Sequence, residues 1–360
     1  MVYRAIGIMS GSSLEGLDIV FAEFQQSSGA WNYTIQAAEC YPYPKEWIEK
    51  LRKANTLSSG EYLLLHAAFG HYIGQQVNRF IEAHQLQYKV QLVVSHGHTL
   101  FHMPDQKMTA QLGEGAAIAG ATGINVVSDL RAMDIALGGN GAPIMPVGEK
   151  LLFGEYGSFL NIGGIANITS HTGDGIIAFD ICPANKVLNM LAAQAGERYD
   201  KDGQLATAGN LKPELLQSLN DLEYYGMEQP KYLSNDFATD VIFPLVRGMG
   251  YNTKDALRTF VEHIAVQTAN AMKQLPTQQK LLITGGGGHN RFLTERIKAA
   301  LEPLNIEAVV PDYNIVEFKE ALIVALLGIL RWREEYNVFA ANTGAGRNSI
   351  GGAVWMGQEA

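Results

Sequence analysis

Apolar positions along the first third of the chain recur in two periods, one typical of strands and one typical of helices. Short apolar runs at 3–9 and 17–24 flank the turn 10–16 and predict a strand hairpin. From Ser59 to Leu86 the apolar residues return at helical spacing, which predicts a long amphipathic helix. Further elements are predicted downstream: a buried strand at 91–95, a helix at 114–121 and a strand at 124–128.

The second half of the chain repeats this order. A second glycine turn, Gly163-Gly164, separates apolar strands at 158–162 and 165–169. The two hairpins begin about 150 residues apart and each is followed by mixed helices and strands, which favours a pseudo-duplicated α/β fold of two lobes. The remaining predicted elements are a strand at 176–180, a helix at about 184–196, a polar insertion to about 236, a helix at 253–274, a strand at 280–284 and a helix at about 317–335.

The boundary between the two lobes is expected in a glycine-rich segment. Residues 137–146 contain Gly-Gly-Asn-Gly-Ala-Pro, a composition typical of an interdomain hinge. We therefore assign 1–137 to an N-terminal lobe and 138–335 to a C-terminal lobe. The tail at about 336–360, glycine-rich from Gly344, is a candidate to return to the first lobe.

Composition narrows the classes of function. The chain has 360 residues, of which 47% are apolar, and two domains fit that length at roughly 150 residues each. Its net charge of −9 argues against general binding of nucleic acids or anionic membranes, because no broad positive field attracts phosphates. The cysteines, Cys40 and Cys182, form neither a disulfide framework nor a four-thiolate metal site, which favours a reducing compartment.

The sequence suggests neither a signal peptide nor a membrane-spanning segment. The stretch Met1–Gly11 carries Arg4 and reaches glycine and serine too early for a signal peptide. The longest apolar run, Ala321–Leu330, has about half the residues that a bilayer span needs. We expect a cytoplasmic protein, and a homodimer stays open as its assembly state.

The first glycine turn has the composition of an anion site. Backbone N–H groups in Gly7–Ser13 can converge on a phosphate, and its serine hydroxyls add donors. Asp18 follows on the outgoing strand and could hold a hydrated metal ion beside that anion. No Gly-Lys-Ser/Thr follows, so the segment is not a Walker loop. An ordinary hairpin turn stays open as the alternative.

The second glycine turn and a later glycine run extend this hypothesis. Two hairpins that faced a shared cleft would clamp a polyphosphate from both sides. The run Gly285–Gly288 follows an apolar strand and precedes His289-Asn290 at a helix start, which suits close backbone approach to a flat ring or a phosphate. Alone, four glycines more often form a loop.

Asp180 is the candidate general base. It ends an apolar strand, and a carboxylate at a strand end beside a cleft is well placed to take a proton. The alternative is that Asp180 caps the helix that begins near Pro183. Cys182 is more typical of a small buried residue than of a nucleophile. In the histidine cluster at 96, 98 and 102 no Cys or carboxylate neighbour completes a zinc set, which favours contact with a polar substrate.

Taken in order, these pieces resemble the anhydro-N-acetylmuramic acid kinases, a family of the actin, hexokinase and heat-shock chaperone superfamily. The resemblance runs from about residue 5 to residue 355, and its strength is the collinearity of many short motifs. They are Met9–Asp18 (MSGSSLEGLD), Ser95–Thr99 (SHGHT), Val127–Arg131 (VSDLR), Gly138–Pro143 (GGNGAP), Leu160–Ile168 (LNIGGIANI), Tyr199–Gly203 (YDKDG), Lys319–Ala321 (KEA) and Thr343–Ala345 (TGA).

The resemblance implies an α/β fold of two actin-like (ribonuclease H-like) lobes, with ATP, magnesium and a sugar in an interdomain cleft. It also implies a reaction in which hydrolysis of the 1,6-anhydro bond of 1,6-anhydro-N-acetylmuramic acid is coupled to phosphorylation of O6. The product, N-acetylmuramic acid 6-phosphate, belongs to peptidoglycan recycling and amino sugar catabolism. Asp180 corresponds to the family's aspartate that activates the water attacking C1.

The resemblance further implies which residues bind the two substrates. Arg131 suits the lactyl carboxylate of the sugar, because its planar fork binds carboxylates bidentately, and Asp18 would hold magnesium through water. The other sugar-site positions are His96, Gly97, Thr99 and Glu320. The ATP positions are Gly11, Ser12, Ser13, Leu14, Glu15, Gly16, Leu17, Asp18, Asn161, Gly163, Gly164, Asn167, Gly286, Gly287 and Asn290.

The sequence departs from the family pattern at three places. Glu15 stands where Asp is usual, His98 where Gln is usual, and Ile181–Ala184 where Thr-Gly-Pro-Gly is usual. The third change removes a hydroxyl donor and backbone freedom beside the base. Two alternatives therefore stay open: a kinase of the same fold for another amino or anhydro sugar, and a nucleotide-binding sensor without transfer. Asp180 favours a kinase, because a sensor needs no base there.

Overall fold

The computed structural model describes residues 1–11, 14–173, 175–234, 236–275 and 280–357. In that part of the chain the strands are β1 (Val2–Ser10), β2 (Gly16–Ser27), β3 (Ala30–Pro42), β4 (Leu92–Met103), β5 (Met108–Leu112), β6 (Val126–Ser128), β7 (Ser158–Ile162), β8 (Ile165–His171), β9 (Ile176–Pro183), β10 (Lys280–Thr284), β11 (Glu307–Val309) and β12 (Ala353–Trp355).

The helices of the same residues connect and cover these strands. They are α1 (Lys45–Lys53), α2 (Ser59–Ala83), α3 (Gly115–Thr122), α4 (Ala132–Ala136), α5 (Met145–Leu152), α6 (Asn185–Gln194), α7 (Gln204–Thr207), α8 (Pro213–Asn220), α9 (Glu223–Gly226), α10 (Phe243–Gly248), α11 (Thr253–Gln274), α12 (Arg291–Leu301), α13 (Tyr313–Trp332) and α14 (Ala340–Thr343). A π-helical turn, Ala238–Ile242, precedes α10, and 3₁₀ turns lie at Ala54–Thr56, Pro104–Gln106, Lys201–Gly203, Gly286–His289 and Glu302–Leu304.

The chain divides into two compact units. Unit 1 comprises Met1–Gly154 and Phe318–Ala360, and unit 2 comprises Glu155–Glu317. In the described residues, unit 1 contains a sheet with the strand order β12-β6-β4-β1-β2-β3, and β5 pairs with β4. The sheet of unit 2 has the order β11-β10-β7-β8-β9.

The two sheets share one topology. In unit 1, β1, β2 and β3 form an antiparallel meander, and β4 and β6 follow parallel on the other side of β1. In unit 2, β7, β8 and β9 form the meander, and β10 and β11 follow parallel beside β7. Both units therefore have the ribonuclease H-like strand order, and the predicted duplicated α/β fold is confirmed.

The glycine-rich segments expected at the lobe boundary lie inside unit 1. The chain passes between the units at 154/155 and again at 317/318, within α13. The segments at 138–142 and 344–346 are instead held near one another by Asp134, whose carboxylate accepts bonds from the Gly141 amide (2.6 Å) and the Thr343 hydroxyl (2.7 Å). Residues 138–154 and 318–335 thus belong to unit 1, in contrast to the expected boundaries at 137 and 335.

Helix α13 is apolar on nearly all sides. This composition fits its position, because the part of the helix that belongs to unit 1 packs inside that unit. A Cβ on Gly7 of β1 would lie 1.9 Å from the Ala321 carbonyl oxygen, and one on Gly328 would lie 2.1 Å from Val94 Cγ2. Glycine at these positions lets the helix approach the sheet closely. The unit 1 core around Phe69 and the unit 2 core around Phe260 are separate clusters.

Candidate active site

The β1–β2 turn in unit 1 holds the first group of predicted ATP residues. The Leu14 amide donates to the Gly11 carbonyl (3.4 Å), and Leu14 adopts a positive φ of 57°. Gly16 begins β2 where a Cβ would lie 2.6 Å from the Tyr41 carbonyl oxygen, so this position requires glycine. Glu15 is exposed, whereas the Leu17 side chain lies in the core, which leaves only its backbone for ligand contact. Ser12 and Ser13 lie outside the described residues.

Asp18 is the carboxylate beside this turn. It is half-buried on β2, where it pairs with Met9 of β1 and Cys40 of β3. Among the described residues no group of three His, Cys, Asp or Glu side chains could hold a metal ion. One carboxylate nevertheless fits magnesium, which keeps several waters and takes its other ligands from substrate phosphates.

His96 and Arg131 form the centre of the predicted sugar site in unit 1. Arg131 Nε donates to His96 Nε2 (3.0 Å), so His96 carries its proton on Nδ1 and donates it to the Gly97 carbonyl (2.9 Å). Burial and the Arg131 charge lower the pKa of His96 to about 3, which keeps the ring neutral. Arg131 Nη1 donates to the Gly141 carbonyl (2.8 Å). The guanidinium is therefore fixed at two points by described residues, and its five N–H donors exceed what these two bonds use, which suits an anion as a further partner.

Glu320 lies in the electrostatic field of the same arginine. Burial and the nearby Glu149 raise the pKa of Glu320, and Lys319 and Arg131 oppose that rise. Lys319 and Glu149 themselves form a buried ion pair with Nζ and Oε1 at 2.7 Å. The structure thus brings His96, Arg131 and Glu320 together in unit 1, with a cation and a carboxyl group suited to a polar, anionic ligand.

Three predicted positions on β4 differ in their environment. Gly97 has φ +72°, and a Cβ there would lie 2.6 Å from the Leu112 carbonyl oxygen, so only glycine fits. Thr99 is exposed and pairs with Gln111 of β5. His98 is buried, its Nδ1 lies 3.0 Å from the Ser10 hydroxyl oxygen, and that hydroxyl accepts from the Tyr43 hydroxyl (2.7 Å). This chain connects the base of the β1–β2 turn to the β4 segment.

Asn161, Asn167 and Asp180 lie in one row across the sheet of unit 2. Asn161 of β7 pairs with Asn167 of β8, and Asn167 pairs with Asp180 of β9. A bulge after Ala166 sets the second pairing. Directly opposed residues on neighbouring strands point to the same face, so the three polar side chains line one face.

The Gly163-Gly164 turn is fastened to the start of α6. The Gly163 carbonyl accepts from the Asn185 amide (3.0 Å), and the Gly164 carbonyl accepts from the Ala184 amide (2.8 Å). In a trans peptide the N–H points away from the preceding C=O. The Gly164 N–H therefore points away from α6, as expected of a donor for a phosphate.

The glycine run after β10 packs against this hairpin. A Cβ on Gly285 would lie 2.3 Å from Asn161 Oδ1, and one on Gly287 would lie 2.2 Å from Ile162 Cγ2. Gly286 is exposed, and Asn290 accepts from the Leu293 amide (3.0 Å) as the cap of α12. The structure thus brings the predicted ATP positions 161–167 and 286–290 together within unit 2.

Asp180 does not cap a helix. Helix α6 begins at Asn185 with Ala184 as its N-cap and no side-chain cap bond, while Asp180 lies inside β9. Its Oδ2 accepts instead from the Leu233 amide (2.9 Å). Burial raises the pKa of Asp180, and the Leu233 bond opposes that rise. A partly exposed carboxylate with an elevated pKa is a stronger proton acceptor than an ordinary exposed aspartate.

Comparison with known proteins identifies the family. The sequence profile of the anhydro-N-acetylmuramic acid kinase family matches residues 3–357. The chain belongs to this family. An anhydro-N-acetylmuramic acid kinase from a Sulfurovum species is 33% identical over 98% of this chain and 99% of its own length. That from Aliivibrio fischeri is 33% identical over 87% of this chain and 88% of its own.

Solved structures show more distant similarity. Component A of (R)-2-hydroxyglutaryl-CoA dehydratase from Acidaminococcus fermentans has a TM-score of 0.49 at 13% identity, covering 90% of this chain and 96% of its own. A ROK family glucokinase from Streptomyces griseus has a TM-score of 0.41 at 11% identity, covering 90% and 98%. Within the described residues no helix is long and apolar enough to cross a membrane.

Sequence reasoning missed several residues that support the candidate site of this anhydro-N-acetylmuramic acid kinase family member. Ser10 and Tyr43 orient His98, and Leu233 bonds the Asp180 carboxylate. Lys231 and Tyr224, from the polar insertion, also contact Asp180 through its backbone. The available sequence signal was a lysine among aromatic residues in that insertion. This signal does not indicate which residue the lysine contacts.

Proposed function

We propose that this chain catalyses the reaction for which its family is named. It would use ATP to convert 1,6-anhydro-N-acetylmuramic acid to N-acetylmuramic acid 6-phosphate during cell-wall recycling. The observation that carries the proposal is the environment of Asp180: a partly exposed carboxylate of raised pKa, on one face with Asn161 and Asn167, with Oδ2 held by the Leu233 amide.

Asp180 acts as general base in this proposal. Its carboxylate takes a proton from water while the water oxygen bonds to C1 and the C1–O6 bond breaks. O6 then bonds to the γ-phosphorus as the bond from that phosphorus to the β–γ bridging oxygen breaks, so ADP leaves. The raised pKa of Asp180 makes it a stronger base for the first step than an ordinary exposed aspartate.

The sugar would be oriented by residues of unit 1. Arg131, held by His96 and Gly141, binds the lactyl carboxylate, and charge-assisted bidentate bonds give both affinity and orientation. Glu320 and Thr99 bind sugar hydroxyl groups. Because His96 stays neutral, it accepts the Arg131 bond instead of repelling the guanidinium.

Within unit 2, the Gly163-Gly164 turn would supply a backbone N–H donor to the phosphates of ATP, and Gly286, Gly287 and Asn290 would lie against the adenosine. Magnesium, when bound through water to Asp18, supplies positive charge that offsets the charge developing on the phosphates.

The Asp180→Asn variant tests this function. It retains the shape of the side chain but removes its basicity, so turnover should fall roughly 10²–10⁴-fold while ATP affinity by calorimetry stays unchanged. The control is Asp221→Asn, a substitution at an exposed position of the same unit, which should retain turnover. Near-normal turnover of Asp180→Asn would refute the role of Asp180 as base.

A kinase for another amino or anhydro sugar is the second candidate. The observation that favours it is His98, which stands where the family usually has Gln and is held by Ser10 in the sugar segment. A panel of anhydro sugars, with and without the lactyl group, separates the two candidates by kcat/KM. ATP binding without transfer to any sugar would instead indicate a sensor.

A further inference from the structure

The polar insertion between α8 and α11 contacts Asp180 at three points. The Tyr224 hydroxyl donates to the Asp180 carbonyl (2.6 Å), and the Asp180 amide donates to the Lys231 carbonyl (2.9 Å). The Leu233 amide donates to Oδ2 (2.9 Å). The segment 224–233 therefore fixes both the backbone and one carboxylate oxygen of the proposed base.

Lys231 has an unusual environment for a lysine. Its side chain is only 8% exposed, and among the described residues no carboxylate forms an ion pair with it. Nζ donates to the carbonyls of Tyr224 (3.0 Å) and Tyr225 (3.3 Å) and lies 4.7 Å from the centre of the Tyr224 ring. These carbonyls belong to the last turn of α9, and the Tyr224 carbonyl also accepts from the Met227 amide (3.2 Å).

The turn that Lys231 holds is itself anchored to the core of unit 2. The Tyr225 hydroxyl donates to His263 Nε2 (2.9 Å), and His263 Nδ1 donates to Asn220 Oδ1 (2.7 Å). His263 is fully buried in α11. A continuous set of hydrogen bonds therefore runs from α11 through Tyr225 and Lys231 to the backbone of Asp180.

We propose that Lys231 is a positioning residue for the Asp180 base, an inference that rests on the proposed function. Its ammonium ties the stretch 231–233 to the 224–225 turn, so that the Leu233 amide fixes Oδ2 and leaves Oδ1 to accept the proton from water. A buried lysine without a carboxylate partner is costly for stability. The two carbonyl bonds and the contact with the Tyr224 ring offset part of this cost.

The Lys231→Met variant tests the inference by kinetics. Methionine keeps a long apolar stem but cannot bond the two carbonyls, so Asp180 loses its fixed orientation. We expect kcat to fall about 10- to 100-fold with KM for ATP unchanged. Lys231→Arg, which keeps the charge, should recover part of the loss. The control is Lys212→Met, since Lys212 also lies near a tyrosine ring but pairs with Asp255; it should retain kcat.

The pH profile separates positioning from loss of folded protein. Cys182, Tyr224 and Lys231 are the titratable groups that surround Asp180. If Lys231→Met frees the 231–233 stretch, the Asp180 carboxylate loses the Leu233 bond and gains contact with water, so its pKa changes and the acid limb of kcat/KM moves along the pH axis. A lower active fraction alone leaves the limb in place, and that result would overturn the inference. If Lys231→Met fails to fold, Lys231→Gln gives the same comparison, because its shorter, uncharged side chain cannot reach both carbonyls.

A double variant separates this inference from the proposed function. If Lys231 acts through Asp180, adding Lys231→Met to Asp180→Asn should lower kcat no further. A further tenfold loss in the double variant would show that Lys231 acts elsewhere. If Asp180→Asn alone retains turnover, the proposed function itself fails, whatever Lys231→Met does.

Discussion

At the scale of single residues, the candidate site depends on side chains that fix other side chains. Arg131 takes its orientation from one imidazole nitrogen and one carbonyl, at 3.0 and 2.8 Å. His96 can serve as acceptor only while neutral, and its burial ensures this. A lysine at position 131 could not make both bonds in this geometry, because it presents a point charge on a flexible stem.

Arg131→Lys should therefore weaken sugar recognition selectively. Loss of a bidentate, charge-assisted contact typically costs about 1.5–3 kcal/mol, so KM for the sugar should rise roughly 10- to 100-fold while KM for ATP stays unchanged. Steady-state kinetics with the sugar and with its lactyl amide measure this. The variant and the parent enzyme should differ little on the amide, and an equal loss on both sugars would contradict contact with the carboxylate.

Residue pairs of this kind could not be predicted from the sequence. Asp180 stood out because a lone carboxylate ended an apolar strand, and Arg131 because it matched a family motif. Their partners are distant in sequence: Arg131 and His96 are 35 residues apart, and Asp180 and Leu233 are 53 apart. Only the folded chain brings them together, since no local pattern encodes such contacts.

At the scale of elements, the periodicity of apolar residues predicted those helices and strands whose bounds are determined by local contacts. Helix α11 and strands β7 and β10 have the predicted bounds, because their apolar positions alternate or repeat clearly between polar ends. Strand β3 was missed although Trp31, Tyr33 and Ile35 alternate with polar residues. Strand β9 continues past Asp180 to Pro183, and the bulge that sets its pairing with β8 has no sequence signal.

The contact between α13 and the sheet of unit 1 is testable with a single methyl group. The Gly7→Ala change places a Cβ 1.9 Å from the Ala321 carbonyl oxygen, so helix and strand must separate. Such overpacking costs typically about 1–3 kcal/mol and sometimes more. Gly120→Ala is the control, because nothing lies within 4 Å of its added Cβ in α3, and it should stabilise by up to about 1 kcal/mol.

Urea denaturation gives the free energy of unfolding for both glycine variants. If Gly7→Ala proves as stable as Gly120→Ala, the close approach of α13 to β1 is wrong. The loss should appear as a lower midpoint with an unchanged slope, because the surface exposed on unfolding is the same.

At the scale of the whole molecule, each unit has its own core and contains a buried histidine with a strongly lowered pKa. His96 lies in unit 1 and His263 in unit 2, and burial lowers the pKa of each to about 3. An unfolded histidine binds its proton near pH 6.5. Between these values the unfolded chain holds more protons than the folded one, so stability decreases as pH falls below about 6.5.

Each of these histidines should contribute roughly 1.4 kcal/mol of lost stability per pH unit below 6.5. His263→Gln removes one of them, so the variant should be less stable at pH 7.5 but should lose stability less steeply between pH 6.5 and 5. Exposed His71 provides the control: His71→Gln should retain the steep dependence of the parent. Urea unfolding at several pH values measures the slopes. Equal slopes for His263→Gln and the parent would mean that His263 titrates alike in folded and unfolded chains, contrary to its full burial between Asn220 and Tyr225.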